Sequence, residues 1–472
     1  MKRSIKIILA FFLFAGLLIV SGCGCKQTST HQYNLSLEIW GTQDYSDALQ
    51  EAFDSYKKID PNITSIIYKK IATNTYKQEL VDALASGQGP DIFLLNNAWL
   101  PSFKDKIMPA PVAPSVIDEK KFRSNFVDVA ADDFIDSGKI YAVPLTVDSL
   151  GLYYNKDLFN QAGITSPPVD WNQFIADARK LTKIDATGGI VQSAAAIGTA
   201  YNINRSTDVL NLIMLQNGTK MVDDNGKINF DNSTTVNNQT VFPGEDALNF
   251  YTQFASSGSP NYTWNPNQDY SIDAFSEGKT AMMFNYSWHM ATVADKAPKL
   301  NFGVAPVPQF PNTPRVNFAN YWAFGVAKNK IAVSSPYGGT QSKAAPVSND
   351  TRVAEAWKFL TYLTTKPDGT FVSTSSGTGL GKTFSASFDP AKSYLEKTGE
   401  PAARRDIIET QENDPKIGVF ATDNLIDKSW RESNSDSIES IFATMIDQVN
   451  KGQASVSDAL KTAATRVQAL GN

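Results

Sequence analysis

The sequence predicts an α/β fold in which helices cover a parallel sheet. Two observations carry that expectation. The first hundred residues alternate strand, helix, strand, helix, strand, an order that builds a parallel sheet. The chain also has 472 residues, 42% of them hydrophobic and 11% aromatic, ample for sizeable cores over roughly two to three domain equivalents.

Each element rests on local chemistry. Leu35, Leu37 and Ile39 alternate with Ser36 and Glu38, the period of a half-buried strand, which Trp40-Gly41 ends. Leu49, Phe53 and Tyr56 recur at helical spacing behind Ser46, the expected N-cap, and Pro61 stops that helix. Residues 63–71 read as a second strand. Thr75 and Gln78 stand at capping-box spacing beside a Tyr76, Leu80, Leu84 face that Gly87 ends. Residues 91–95 read as a short buried strand.

Further on, 141–144 and 151–154 read as extended. Asp170 with Gln173 caps a helix whose face is Trp171, Phe174, Ala178 and Leu181. Asp223 to Gly226 is a turn inside a hairpin. Leu248, Tyr251 and Phe254 mark a helix, as do Val353, Trp357, Leu360 and Leu363. Two amphipathic helices close the chain, one through Ile438, Ile441, Met445 and Val449, the other through Val456, Leu460, Ala463 and Val467.

Composition excludes several functions. The formal charge of −5 argues against a nucleic-acid groove. Two Cys make neither a disulfide framework nor a Cys-rich zinc site, and two distant His make no metal cluster. No metal or cofactor is expected.

The N-terminus carries Lys2, Arg3 and Lys6 and then an apolar run from Ile7 to Val20. That run is short for a membrane span of ~20 residues and fits the core of a secretory signal. Val20-Ser21-Gly22 before Cys23 resembles the bacterial lipobox. Residues 1–22 are therefore expected to be a lipoprotein signal, Cys23 the lipid-bearing residue, and 23–33 a tether.

Catalytic motifs fail on inspection. Ser376 to Thr383 lacks the first Gly of a phosphate-binding loop. Met221 stands where a calcium loop needs a carboxylate. No Gly-x-Ser-x-Gly or His-Glu-x-x-His occurs. A paired-carboxylate glycosidase stays open at this level, because pairing in space is invisible in sequence.

A set of segments in order resembles the extracellular solute-binding proteins of sugar ABC importers, the maltose-binding-like group. These are Gly89 to Ile92, Gly138 to Pro144, Leu152 to Phe159, Ala162-Gly163, Pro167-Pro168 with Trp171, Phe275 to Met283 with Trp288, Gly303 to Pro306, and Ala354 to Leu360. The resemblance covers about residues 35–470.

It implies a two-lobed α/β clamp of type II, a periplasmic-binding-protein-like fold whose lobes are each a helix-covered sheet built from discontinuous segments. The expected N-terminal lobe is 34–147 plus 304–372, and the C-terminal lobe 148–303 plus 373–472. Crossings are placed near 146–149, 302–306 and 371–377. It also implies a monomer that closes on its ligand and works with ABC permease subunits and a separate ATPase.

A sugar offers C–H faces to aromatic rings and hydroxyls to carboxylates and amides. Ligands of α/β sheets bind beyond the carboxyl ends of strands. That rule selects Trp40, Gln43 and Asp44, then Asn96, Asn97 and Trp99. By resemblance, Asp148 matches an acidic ligand contact and Trp288 a sugar-stacking ring, with Asn285 and Tyr286 beside it. Tyr321 and Trp322 enter from a returning strand, and Trp264 and Trp430 are weaker candidates. Trp171 and Trp357 are expected in cores. The Asn96-Asn97 pair departs from the charged or aromatic cluster of maltose-binding relatives, which argues against maltose itself and leaves neutral sugars as the expected class. The rival solutes are a polyol or a polyamine.

Overall fold

The computed structural model describes residues 33–43, 45–331, 347–367, 371–373, 382–384 and 388–471. The signal, Cys23 and the tether up to residue 32, together with Asp44 and 374–381, lie outside the described residues.

Ten strands form two five-stranded sheets: β1 (Leu35–Gly41), β2 (Ile63–Lys70), β3 (Ile92–Asn96), β4 (Ala142–Pro144), β5 (Gly151–Asn155), β6 (Lys183–Ile184), β7 (Ile190–Ala196), β8 (Thr280–Asn285), β9 (Phe302–Pro306) and β10 (Trp322–Val326). The helices that matter below are α1 (Ser46–Ile59), α2 (Thr73–Ser86), α3 (Trp171–Leu181), α4 (Ser206–Gln216), α5 (Pro243–Thr252), α6 (His289–Lys296), α7 (Asn349–Thr364), α8 (Ser435–Asn450) and α9 (Val456–Leu470).

The first sheet runs β2-β1-β3-β10-β4. β1 pairs in parallel with β2 and β3, as the β-α-β-α-β reading requires. β3 is buried on both faces, which is why it reads as an unbroken apolar run. The sheet is not wholly parallel, however. β10 is antiparallel to both β3 and β4, because it enters from the other lobe. The second sheet runs β9-β5-β8-β7-β6. Here β7 and β8 are parallel, and β5 is antiparallel to β8 and β9.

Each sheet has its own core. The first gathers side chains from 35–147, 319–363 and 391–408. The second gathers 150–318 and 430–467. Alternate residues of the second sheet point to opposite faces: Leu152, Met282 and Phe284 join the main core, while Tyr153 and Met283 join a smaller cluster with Phe275 and Phe420.

The passages between cores follow from this. The first falls between Val147 and Leu150, inside the expected 146–149. Residues 302–306, expected as the second passage, are instead β9 and pair with β5. The chain changes core between Phe318 and Ala319. Residues 391–408, expected in the C-terminal lobe, pack in the first core, where the Tyr394 ring meets Tyr45 edge-on at 5.2 Å. Ile408 packs in the first core and Phe420 in the smaller cluster of the second sheet, so the chain passes between them, while residues 374–377 of the expected third crossing lie outside the described residues.

Local signals fare differently. Gly87 closes α2 at φ 70°, and Asp170 Oδ1 accepts the Gln173 N–H at 2.8 Å. Ser46 lies inside α1, with Tyr45 at the cap. Thr75 lies inside α2, which begins two residues earlier, and its hydroxyl donates to Ala72 O at 3.3 Å. Trp171, Trp357 and Trp264 are fully buried.

Candidate ligand-binding cleft

Where the lobes face each other lies a cleft of about 1110 Å³. Its first wall is the carboxyl end of β3, the start of α2, and the chain entering β10. Its second wall is the start of α4, the turn after β8, and residues 429–442.

On the first wall, Asn96 Oδ1 accepts the Ala98 N–H at 3.1 Å, and its Nδ2 donates to Asn320 Oδ1 at 3.1 Å. Asn97 Nδ2 donates to Asp133 Oδ2 at 3.2 Å, and Asn97 Oδ1 accepts the Tyr321 N–H. The Tyr321 hydroxyl donates to Asp133 as well, at 2.7 Å, and Ser429 from the other lobe bonds Asp133. Burial pushes the Asp133 carboxyl up to about 6 against the pull of these donors. Trp322 meets Trp99 edge-on at 5.1 Å, and Trp99 Nε1 donates across the cleft to Ser435 Oγ at 3.0 Å.

At the first crossing, Asp148 accepts the Ser287 N–H at 3.0 Å and the Ser287 hydroxyl at 2.5 Å. Burial holds this carboxyl well above the usual range. On the second wall, Trp288 is 42% exposed and stacks on the buried Tyr286, with centroids 4.5 Å apart and planes at 17°. The Tyr286 hydroxyl donates to Asp208 Oδ2 at 2.9 Å, which keeps that platform rigid. Trp430 lines the cleft between Asn211, which accepts its Nε1–H at 3.1 Å, and the Phe442 ring.

Of the residues named from the sequence, Gln43, Asn96, Asn97, Trp99, Asp148, Trp288, Tyr321, Trp322 and Trp430 line the cleft. Trp40 does not. It is buried in the first sheet, its Nε1 donates to Glu38 at 2.8 Å, and Lys69, its partner in β2, lies 4.2 Å from the ring. Strand alternation sends it to the sheet face rather than the edge. Asn285 is fully buried, and its Oδ1 accepts the Tyr286 N–H at 3.1 Å. Tyr286 supports the cleft from beneath, and Trp264 packs under the second sheet. None of these three is in the lining.

Sequence reasoning missed Arg205, Asp208 and Glu432 on the second wall, and Glu400 on the first. Glu400 accepts hydroxyls of Tyr394 at 2.5 Å and Tyr45 at 3.3 Å. No periodicity or motif marks these positions; tertiary packing alone collects them. Among the described residues, no group of three or more His, Cys, Asp or Glu could hold a metal ion.

The profile of the bacterial extracellular solute-binding protein family matches residues 40–370. A binding protein of Brucella abortus is 25% identical over 354 residues, 74% of this chain and 76% of its own length. An arabinooligosaccharide-binding protein of Bacillus subtilis is 25% identical over 304 residues, 62% of this chain and 64% of that one. The cyclic alpha-maltosyl-1,6-maltose binding protein of Arthrobacter globiformis shares the fold at a TM-score of 0.68 and 18% identity, over 93% of this chain and 99% of its own.

Proposed function

The chain belongs to the bacterial extracellular solute-binding protein family, and from that premise we propose that it is a lipid-anchored receptor that captures a neutral sugar or oligosaccharide and delivers it to an ABC importer. The observation that carries the ligand class is the Trp288 platform: a half-exposed indole, braced from below by Tyr286, facing an interlobe cleft rich in amides and hydroxyls. Such a ring binds C–H faces, and the surrounding side chains bind hydroxyls. The arabinooligosaccharide and maltosyl-maltose specificities of the relatives support the same class.

Cys23 carries the lipid, the outer face of the cell membrane is the location, and ATP is hydrolysed on a separate subunit. The receptor itself is a monomer without cofactor or catalytic activity. The ligand is released chemically unchanged.

One observation favours a second reading, a polyamine. The lining holds Asp148, Asp208, Glu400, Glu432, Asp436 and Glu439 against Lys77, Arg205 and Lys416. A thermal-shift and calorimetric panel of sugars, polyols and polyamines on the full chain in detergent separates the two. A ligand at 100 times Kd raises stability by about 2.7 kcal/mol. A shift with spermidine and none with any sugar sinks the main reading.

A further inference from the structure

Arg205, at the N-cap of α4, has φ 61°, a left-handed conformation that a side chain bearing Cβ seldom adopts. Strain of this kind persists only where surrounding structure enforces it, and it concentrates at ligand clamps. Here it carries a guanidinium to the cleft, 5.6 Å from the Trp288 ring centroid and 5.9 Å from that of Tyr286. Among the described residues this guanidinium has no hydrogen-bond or ion-pair partner, and its Nε is buried. A buried Nε–H without an acceptor is costly until something supplies one.

The planar fork fits two oxygens side by side. A carboxylate offers them, and so does a pair of adjacent ring hydroxyls. The neighbourhood decides between them. Asp208 and Glu439 act on Arg205 through their charge, and Glu432 lines the same wall, 9% exposed and with no hydrogen bond to any described residue. An anion placed there would meet like charge. A hydroxyl pair accepts from the guanidinium and still donates to a carboxylate.

Resting on the sugar reading above, we propose that Arg205 is the specificity-determining donor of the cleft. It holds two adjacent hydroxyl oxygens of the sugar ring stacked on Trp288, and a Glu432 carboxyl oxygen accepts a hydrogen bond from a hydroxyl of the same ligand.

The test uses the full chain, with maltotriose, mannobiose, glucuronate and spermidine as probes. Calorimetry is run on the wild type, Arg205→Met and Arg205→Lys, with melting of each unliganded protein. Arg205→Met should weaken the best sugar by about 10–100-fold, and Arg205→Lys nearly as much, since a point charge cannot span two oxygens. The unliganded melting temperature of Arg205→Met should fall by no more than about 2 °C, because the substitution removes the ring contacts with Trp288 and Tyr286 but no hydrogen bond or ion pair to a described residue. Sugar affinity within about twofold of wild type in both variants, or a Met variant that melts several degrees lower, overturns the assignment. So does a wild type that prefers glucuronate to neutral sugars. A wild type that responds to neither sugar fails at the earlier step and sinks the sugar reading itself.

Discussion

Trp288 and Trp171 are chemically identical and differ only in what their neighbours leave open. Trp171 sits at the start of α3 with Phe174, Phe250 and Phe284 around it and no exposed face. Trp288 has one face on Tyr286 and the other toward the cleft. Replacing Trp288 with Ala should weaken sugar binding by about 2 kcal/mol, read by calorimetry, while leaving the fold intact. Unchanged affinity would remove the ring from the site.

Charge at single residues is equally a matter of surroundings. Burial pushes Asp423 up to about 6 against the pull of Arg315 and of Asn317 Nδ2 at 3.1 Å, and Asp133 moves the same way. A carboxyl whose folded pKa lies above its unfolded value binds protons more readily when folded. Stability from these groups is present below about pH 4 and is lost as pH rises through 6. His289 works in the opposite sense. Burial and then Arg205 lower it to about 4, so its share of stability is lost as pH falls from about 6.5 toward 4. The two effects overlap, so the clean measurement is a difference. Between pH 4 and 7 the melting temperature of Asp423→Asn should gain steadily on wild type. A constant difference would show that Asp423 does not titrate there.

Elements carry the next set of expectations. Asp170 caps α3 through the Gln173 N–H, and Asp170→Ala should cost about 1 kcal/mol in denaturant unfolding. Gly87 ends α2 at φ 70°, and a Cβ there would stand 2.8 Å from Ile331 Cγ1. Gly87→Ala should cost about 1 kcal/mol or more, and no loss would mean that the turn relaxes freely. Both signals were legible in the sequence because they are short-range: the capping side chain and its amide are three residues apart. Ser46 and Thr75 obey the same local rule and yet are not caps. For α2 the decision was tertiary. Tyr76 is buried with its hydroxyl donating to Leu94 O at 2.7 Å, and the first turn is fixed by that anchor and by amides bonding Ala72 O.

At the scale of the molecule, the two lobes touch across the cleft. Lys77 of α2 pairs with Asp436 of α8 at 2.8 Å, Trp99 reaches Ser435, and Arg431 donates to the carbonyls of Asp132 and Ile135. Asp436 is largely exposed, so its pair is worth at most about 1 kcal/mol, and Asp436→Ala should weaken sugar binding less than tenfold. A larger loss would make Asp436 a ligand contact rather than a lobe contact. The lobe boundaries were the least legible feature at this scale. β9 carries a family-like motif in a short extended segment, and nothing local reveals that it completes the second sheet rather than crossing between lobes. Likewise 391–408 is an ordinary helical stretch until Tyr394 finds Tyr45 in the first core.

By itself the sequence determined the α/β class, the opening strands and helices of the first lobe, the core places of Trp171 and Trp357, and an ordered set of segments that resembles the solute-binding family. All of these follow from periodicity, caps and motifs that act over a few residues. Only the tertiary structure decided which side chains share the cleft. Asn96, Asp148, Arg205, Trp288, Trp322 and Trp430 come from six separate stretches of chain, and Trp40 and Asn285, equally attractive at strand ends, are turned away. The physical reason is that a cleft between lobes is made where the chain crosses and returns, and the side a residue faces depends on partners far away in sequence.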